Sequence, residues 1–180
     1  MIAMIDLFLV ALILAALAFD LKYQRIPNKL TLPTILIGLF YGSFQFGLEG
    51  FIGNLQGLLL GIGVFLIPFM FGGMGGGDLK LMGAIGALKG WAFVLEAALF
   101  TAIWGGVIAL LAITISRRLW ILRNFGVGLR LFVMTGGHAG AQVMLPDAKA
   151  DGEDRLAVPY GVAIFAGTVS AYFMDLKIAG

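Results

Sequence analysis

The chain is a succession of long apolar runs separated by short polar stretches. Runs of membrane length lie at about 2–19, 30–48, 51–71 and 157–175. The stretch 79–115 is too long for one span. Lys89-Gly90 offers a break there, which predicts a short helix over about 78–89 and a longer one over about 91–115. A single tilted helix is the rival reading.

Basic residues choose between the two. Lys22, Arg25 and Lys29 follow the first run, and Arg117, Arg118, Arg123 and Arg130 follow residue 115, whereas the connection near 46–50 holds only Glu49. The positive-inside rule puts both basic clusters in the cytoplasm, and that parity requires 79–115 to cross twice. The expected fold is therefore all-α and polytopic, with about six transmembrane helices and both termini on the non-cytoplasmic side. Lys89 and Lys177 are then the basic residues left on the far side.

The segment at about 116–156 is cytoplasmic in this scheme. Its "RRLWILRNFGVGLRLFVM" mixes arginines with large apolar residues, as a helix lying on anionic lipid does, and "PDAKADGEDR" reads as a loop. No internal repeat or separate soluble domain is visible, so residues 1–180 are read as one membrane-embedded domain. The first run lacks a basic start and a small-residue cleavage site, and is read as a retained span.

Composition agrees. Of 180 residues, 61% are hydrophobic and 12% charged, about half the charged fraction of a soluble domain. The lipid bilayer is the expected surrounding, and no nucleic-acid partner is expected. Cysteine is absent, which excludes disulfides, zinc ribbons and a thiol nucleophile. With His138 as the one histidine, no metal site or other cofactor is expected.

Against this background "GGMGGGDLKLMG", residues 72–83, stands out: five glycines in six positions, then Asp78 a residue later. The topology places Asp78 at or just beneath the cytoplasmic face, at a depth similar to Asp20 at the end of the first span. An ionisable group at membrane depth is costly and marks a functional site by default. Two carboxylates brought together cannot both ionise cheaply and share a proton. The ionised one can deprotonate water and the protonated one can polarise a peptide carbonyl, which is aspartic-peptidase chemistry. Glycines beside them would let a substrate backbone approach, with loop N–H and C=O groups pairing with an extended strand. The plainer readings are an N-cap for Asp78, a solvated interfacial acid for Asp20, and close helix packing for the glycines.

Three segments together resemble the type IV prepilin peptidases. "FDLKYQRIPN" (19–28) is similar to their first aspartate motif, "GGGDLK" (75–80) to their second, GxGD followed by x-K, and "VPYGVAIFAG" (158–167) to their last-span signature. The resemblance implies a membrane aspartic endopeptidase that removes the short basic leader of prepilins or pseudopilins at the cytoplasmic face of the inner membrane. It implies Asp20 and Asp78 as the catalytic pair, with Gly75, Gly76, Gly77 and Lys80 as candidate substrate-binding positions. Ile26, Pro27 and Asn28 are expected to be structural, Asn28 as a cap of the next helix. Larger bacterial members carry a cysteine-rich insert associated with N-methylation. This chain has none, and resembles the minimal form found with tight-adherence (Flp) pili and the archaeal preflagellin peptidases.

Lesser candidates are Glu96 within the fifth run, read first as an acid with a polar neighbour or snorkelling to the interface, His138 in "TGGHAG", read first as an exposed loop residue, and the acids Asp147, Asp151, Glu153 and Asp154, read first as a solvated loop, with attraction of a basic leader as the alternative. A transporter or an assembly scaffold is the alternative class. Acids at one face and no repeated halves speak against a transporter, and the segment 19–28 against a presenilin-like protease.

Overall fold

The structure, a computed structural model, describes residues 4–70, 74–115 and 160–178, with side chains described except at 113 and 175–178. These residues form four helices and no strand: α1 (Met4–Tyr23), α2 (Asn28–Met70), α3 (Gly76–Ile115) and α4 (Tyr160–Ile178). By length and composition α1, α2 and α3 as far as Ala112 can each cross a membrane, and α4 holds a shorter apolar run, Tyr160–Met174. In a bilayer interior the backbone must satisfy its own hydrogen bonds, so an apolar chain of this kind has helix as its available solution.

Two of the helices are each broken at a glycine. Gly47 (φ 61°, ψ −140°) interrupts α2, and Gly90 (φ 83°, ψ −178°) interrupts α3. A side chain at either position would meet steric resistance that glycine escapes. At Gly47 the chain folds back on itself: Gly42 packs against Gly50, and the Asn54 carboxamide donates to the Gly38 carbonyl at 2.8 Å.

At Gly90 it reverses as well. Before the break, α3 runs antiparallel to the second half of α2, with Gly57 against Gly86 and Gly61 against Met82. There the backbones approach so closely that a Cβ on Gly57 would lie 2.7 Å from the Gly90 carbonyl carbon; small residues permit this packing in membranes. After the break, α3 runs antiparallel to α4. Gly167 faces Thr101, Gly105 faces Ala163, and Trp104 Nε1 donates to Ser170 Oγ at 3.1 Å. The break expected at Lys89-Gly90 is thus present, and one tilted helix over 79–115 is excluded.

Residues 81–88 are buried on every side, so the short helix that starts α3 is the centre of the fold. Around it, α1 turns Ile5, Leu9, Leu12, Ile13, Ala16 and Asp20 inward and leaves Leu7, Leu14 and Leu21 exposed. Lys89, at the break, forms an ion pair with Asp6 at 3.1 Å and lies over the rings of Phe93 and Tyr172. This joins the start of α1, the break in α3 and α4 at one end of the helices. The candidate site lies at the other.

Two compact units are present, one of residues 1–106 with 159–180, the other of 107–158. The second is described only over the helical residues Val107–Ile115. The site belongs to the first unit.

Candidate active site

Asp20 sits in the last turn of α1, which ends three residues later at Tyr23. Gln24 takes a left-handed conformation (φ 51°), and its N–H donates to the Asp20 carbonyl at 2.8 Å. This is the αL helix stop, normally given to glycine or asparagine. The Asp20 side chain is turned inward and buried, 8% exposed. Its Oδ2 accepts the backbone N–H of Gly161 in the first turn of α4 at 2.9 Å. That N–H belongs to the first turn of a helix, where it has no intrahelical acceptor, so a buried carboxyl oxygen and an orphaned donor satisfy each other.

Asp78 sits in the first turn of α3 and is buried to the same extent, 8%. The helix opens at Gly75, whose carbonyl accepts from the N–H groups of Asp78 and Leu79 at 3.2 and 3.5 Å. The Asp78 Oδ2 reaches back to the Gly75 N–H at 3.2 Å. Asp78 is therefore not the N-cap residue itself. It plays the part of the third helical residue in a capping box, reaching back to the cap's own N–H.

Both carboxylates line one cleft of about 440 Å³. Gly75, Gly76, Gly77 and Lys80 line it too, as do Gln24, Arg25, Ile26 and Asn28. Each candidate expected from the two aspartate motifs is therefore brought to one place. Each carboxylate has one oxygen held by a backbone N–H through these bonds.

Three expectations change in detail. First, the glycines are not all loop. Gly76 and Gly77 belong to the first turn of α3. Such residues offer free N–H groups, while their carbonyls are engaged in the helix. They can donate to a carbonyl oxygen but cannot pair as a strand does.

Second, the glycines differ among themselves. A Cβ on Gly77 would lie 3.1 Å from Ile26 Cβ and 3.2 Å from its backbone nitrogen, whereas one on Gly76 meets only the Phe69 ring at 3.6 Å. Gly77 is where the second motif seats against the first. Gly77→Ala should therefore cost about 1–3 kcal/mol through overpacking. Gly76→Ala should be neutral or stabilising by up to about 1 kcal/mol, because it removes a glycine from a helix. Thermal unfolding in detergent measures both, and equal destabilisation by the two would remove the distinction.

Third, Asn28 does not cap α2. The first turn closes on the Pro27 carbonyl, which accepts from Leu30 N–H at 3.0 Å. The Asn28 Oδ1 instead accepts from Lys80 Nζ at 2.9 Å, tying the start of α2 to the start of α3.

Gly161 is a site residue that the sequence reading did not single out, although it lies in the quoted segment 158–167. A Cβ there would lie 2.8 Å from both Cβ and Cγ of Asp20, and still nearer its Oδ2. Its place in the last-span motif was the available signal. Glu96 is half-buried and does not line the cleft. His138 and the acidic cluster 147–154 lie outside the described residues.

What fold and site define is a helical membrane protein that carries two buried carboxylates, from different helices, in one cleft. Comparison with known proteins narrows this. The type IV leader peptidase family matches residues 7–110, and the chain belongs to that family. Both aspartates fall within the matched residues, and Gly161 lies beyond them.

The chain is similar to a prepilin leader peptidase/N-methyltransferase of Burkholderia pseudomallei, 36% identical over 110 residues, covering 58% of this chain and 36% of the relative. The protein of the same description in Escherichia coli K12 is 31% identical over 127 residues, covering 66% and 56%. The prepilin peptidase EppA of Methanocaldococcus jannaschii is 37% identical over 76 residues, covering 42% and 20%. The chain thus matches between a fifth and just over half of the length of these relatives. No solved structure matches the chain.

Proposed function

We propose that this chain is a membrane aspartic endopeptidase that cleaves the short basic leader from prepilins or pseudopilins at the cytoplasmic face of the inner membrane. The observation that carries the reading is the convergence of Asp20 and Asp78 on one cleft, in a chain of the leader peptidase family. Of the two activities named for the bacterial relatives, methyl transfer is not part of the reading.

In this reading the pair holds one proton between its two carboxyl groups. The ionised carboxylate takes a proton from water as the water oxygen attacks the scissile carbonyl carbon. The protonated carboxyl donates to the carbonyl oxygen, on which charge develops. The tetrahedral intermediate then collapses, the C–N bond breaks, and the amine leaves with a proton from the pair. Free N–H groups at Gly76 and Gly77 can support the oxygen. The backbone bonds from Gly161 and Gly75 hold the two carboxyls in place, which favours catalysis by pre-organisation.

Six crossings with both termini outside are part of the proposal. The reversals at Gly47 and Gly90 support it, as does the basic cluster Lys22, Arg25 and Lys29 beside the cleft. Cysteines introduced singly at Lys22, Leu48 and Trp91 check it with an impermeant thiol reagent. Lys22 should label from the cytoplasmic side, Leu48 and Trp91 from outside. Cytoplasmic labelling at Trp91 would sink the six-span scheme.

The activity is tested by reconstituting the full chain in nanodiscs with a full-length prepilin and reading the product masses. The expected products are a short basic peptide and the shortened pilin. A prepilin left intact by the wild-type chain across several pilin types would overturn the assignment.

A further inference from the structure

Gln24 occupies a position that its residue type does not favour. At φ 51° it carries a Cβ in the left-handed region, where glycine or asparagine would stop α1 at lower cost. Strain of this kind is tolerated where the side chain or the turn has a use. Gln24 is exposed, lines the cleft with Asp20 and Asp78, and stands directly after the turn that carries Asp20. Its carboxamide bonds to none of the described residues.

Each of the other lining side chains is already bonded, buried, charged or absent. The Asn28 oxygen is taken by Lys80, Ile26 is buried, Arg25 and Lys80 are charged, and the glycines have no side chain. A carboxamide has both a donor and an acceptor, the same complement as one peptide unit. We infer that Gln24 binds the main chain of the substrate beside the scissile bond, its N–H₂ donating to a substrate carbonyl and its oxygen accepting a substrate N–H. This rests on the peptidase reading and names a contact within that site.

The test uses the full chain in nanodiscs with a full-length prepilin, and compares Gln24→Gly, Gln24→Ala and Gln24→Asn. Gln24→Gly removes the strain and the carboxamide together. Its melting midpoint should rise by roughly 2–4 °C, while KM rises about three- to tenfold for the lost hydrogen bonds. The kcat should stay near wild type, since a contact held equally in ground and transition states changes KM alone. Gln24→Ala keeps the strained backbone and should show the same KM without the gain in stability. Gln24→Asn keeps a carboxamide in a conformation asparagine tolerates, and its KM should fall between.

Wild-type KM in both Gln24→Gly and Gln24→Ala would overturn the inference. So would a kcat loss at unchanged KM, which would assign the residue to the turn alone. If the wild-type chain cleaves no prepilin, the peptidase reading itself fails, an outcome distinct from cleavage with an unaltered KM in the variants.

Discussion

Asp20→Asn and Asp78→Asn should each lower the rate of leader cleavage by about 10²–10⁴-fold, the usual worth of a positioned acid or base, while the protein still inserts and folds. The second half of that expectation comes from the site itself. Asp20 accepts a backbone N–H from Gly161, and Asp78 one from Gly75. An asparagine carbonyl oxygen can accept either bond, so shape and capping survive. An amide cannot become the ionised base, nor take part in a shared proton. Chelators should leave the wild-type rate unchanged, because the proposed mechanism draws its chemistry from the two carboxylates. The measurement is single-turnover cleavage in nanodiscs, with melting curves of each variant beside it. Near wild-type cleavage by either asparagine variant would remove that carboxylate from the mechanism. Cleavage lost to EDTA and restored by a divalent metal would point to a metallopeptidase.

The second large effect is expected at a residue with no chemistry of its own. Gly161→Ala should lose most activity and about 1–3 kcal/mol of stability, the usual range for overpacking a tight contact. The cause is that the new methyl group would occupy the space of the Asp20 carboxylate. Either the carboxylate turns away or α4 moves off, and in both cases the bond from the Gly161 N–H lengthens. The double variant Asp20→Gly/Gly161→Ala tells these losses apart. Removing the whole Asp20 side chain, Cβ included, vacates the volume that the new methyl needs, so stability should recover towards that of Asp20→Gly alone, while activity stays lost. Such non-additivity is expected of residues in direct contact. Simple addition of the two stability losses would mean that Gly161 does not pack on Asp20.

The chemistry-bearing residues were legible because each stands out against its surroundings. Asp20 and Asp78 are acids in apolar runs, and the glycines before Asp78 form a segment almost without side chains. Lys80 and Asn28 were visible as motif residues, but their bond to each other was not, since almost the whole length of α2 separates them along the chain. Asn28 was expected to cap its own helix. The fold engages it with Lys80 instead, and the Pro27 carbonyl closes the first turn. Gly161 carried no signal beyond its place in a motif, because its role exists only once α4 lies against α1. Gln24 was equally silent, since a glutamine in a polar connection is ordinary until its φ is known.

By itself the sequence determined that the chain is helical and membrane-embedded, roughly where the helices run, and that breaks fall near residues 47 and 90. The reason is that a bilayer imposes length, hydrophobicity and internal hydrogen bonding on every span, and these are local properties of the chain. Tertiary structure decided which face of each helix looks inward. In α1 the buried Leu9 and Leu12 and the exposed Leu7 and Leu14 are the same residue type, because lipid and protein interior are equally apolar and no polar face marks the outside. It also decided that Asp20 and Asp78 share a cleft, that Gly161 lets α4 reach the first of them, and that Gly77 seats one motif on the other. These are contacts between segments distant in the chain. They depend on how closely two backbones can approach, a quantity that no single segment carries.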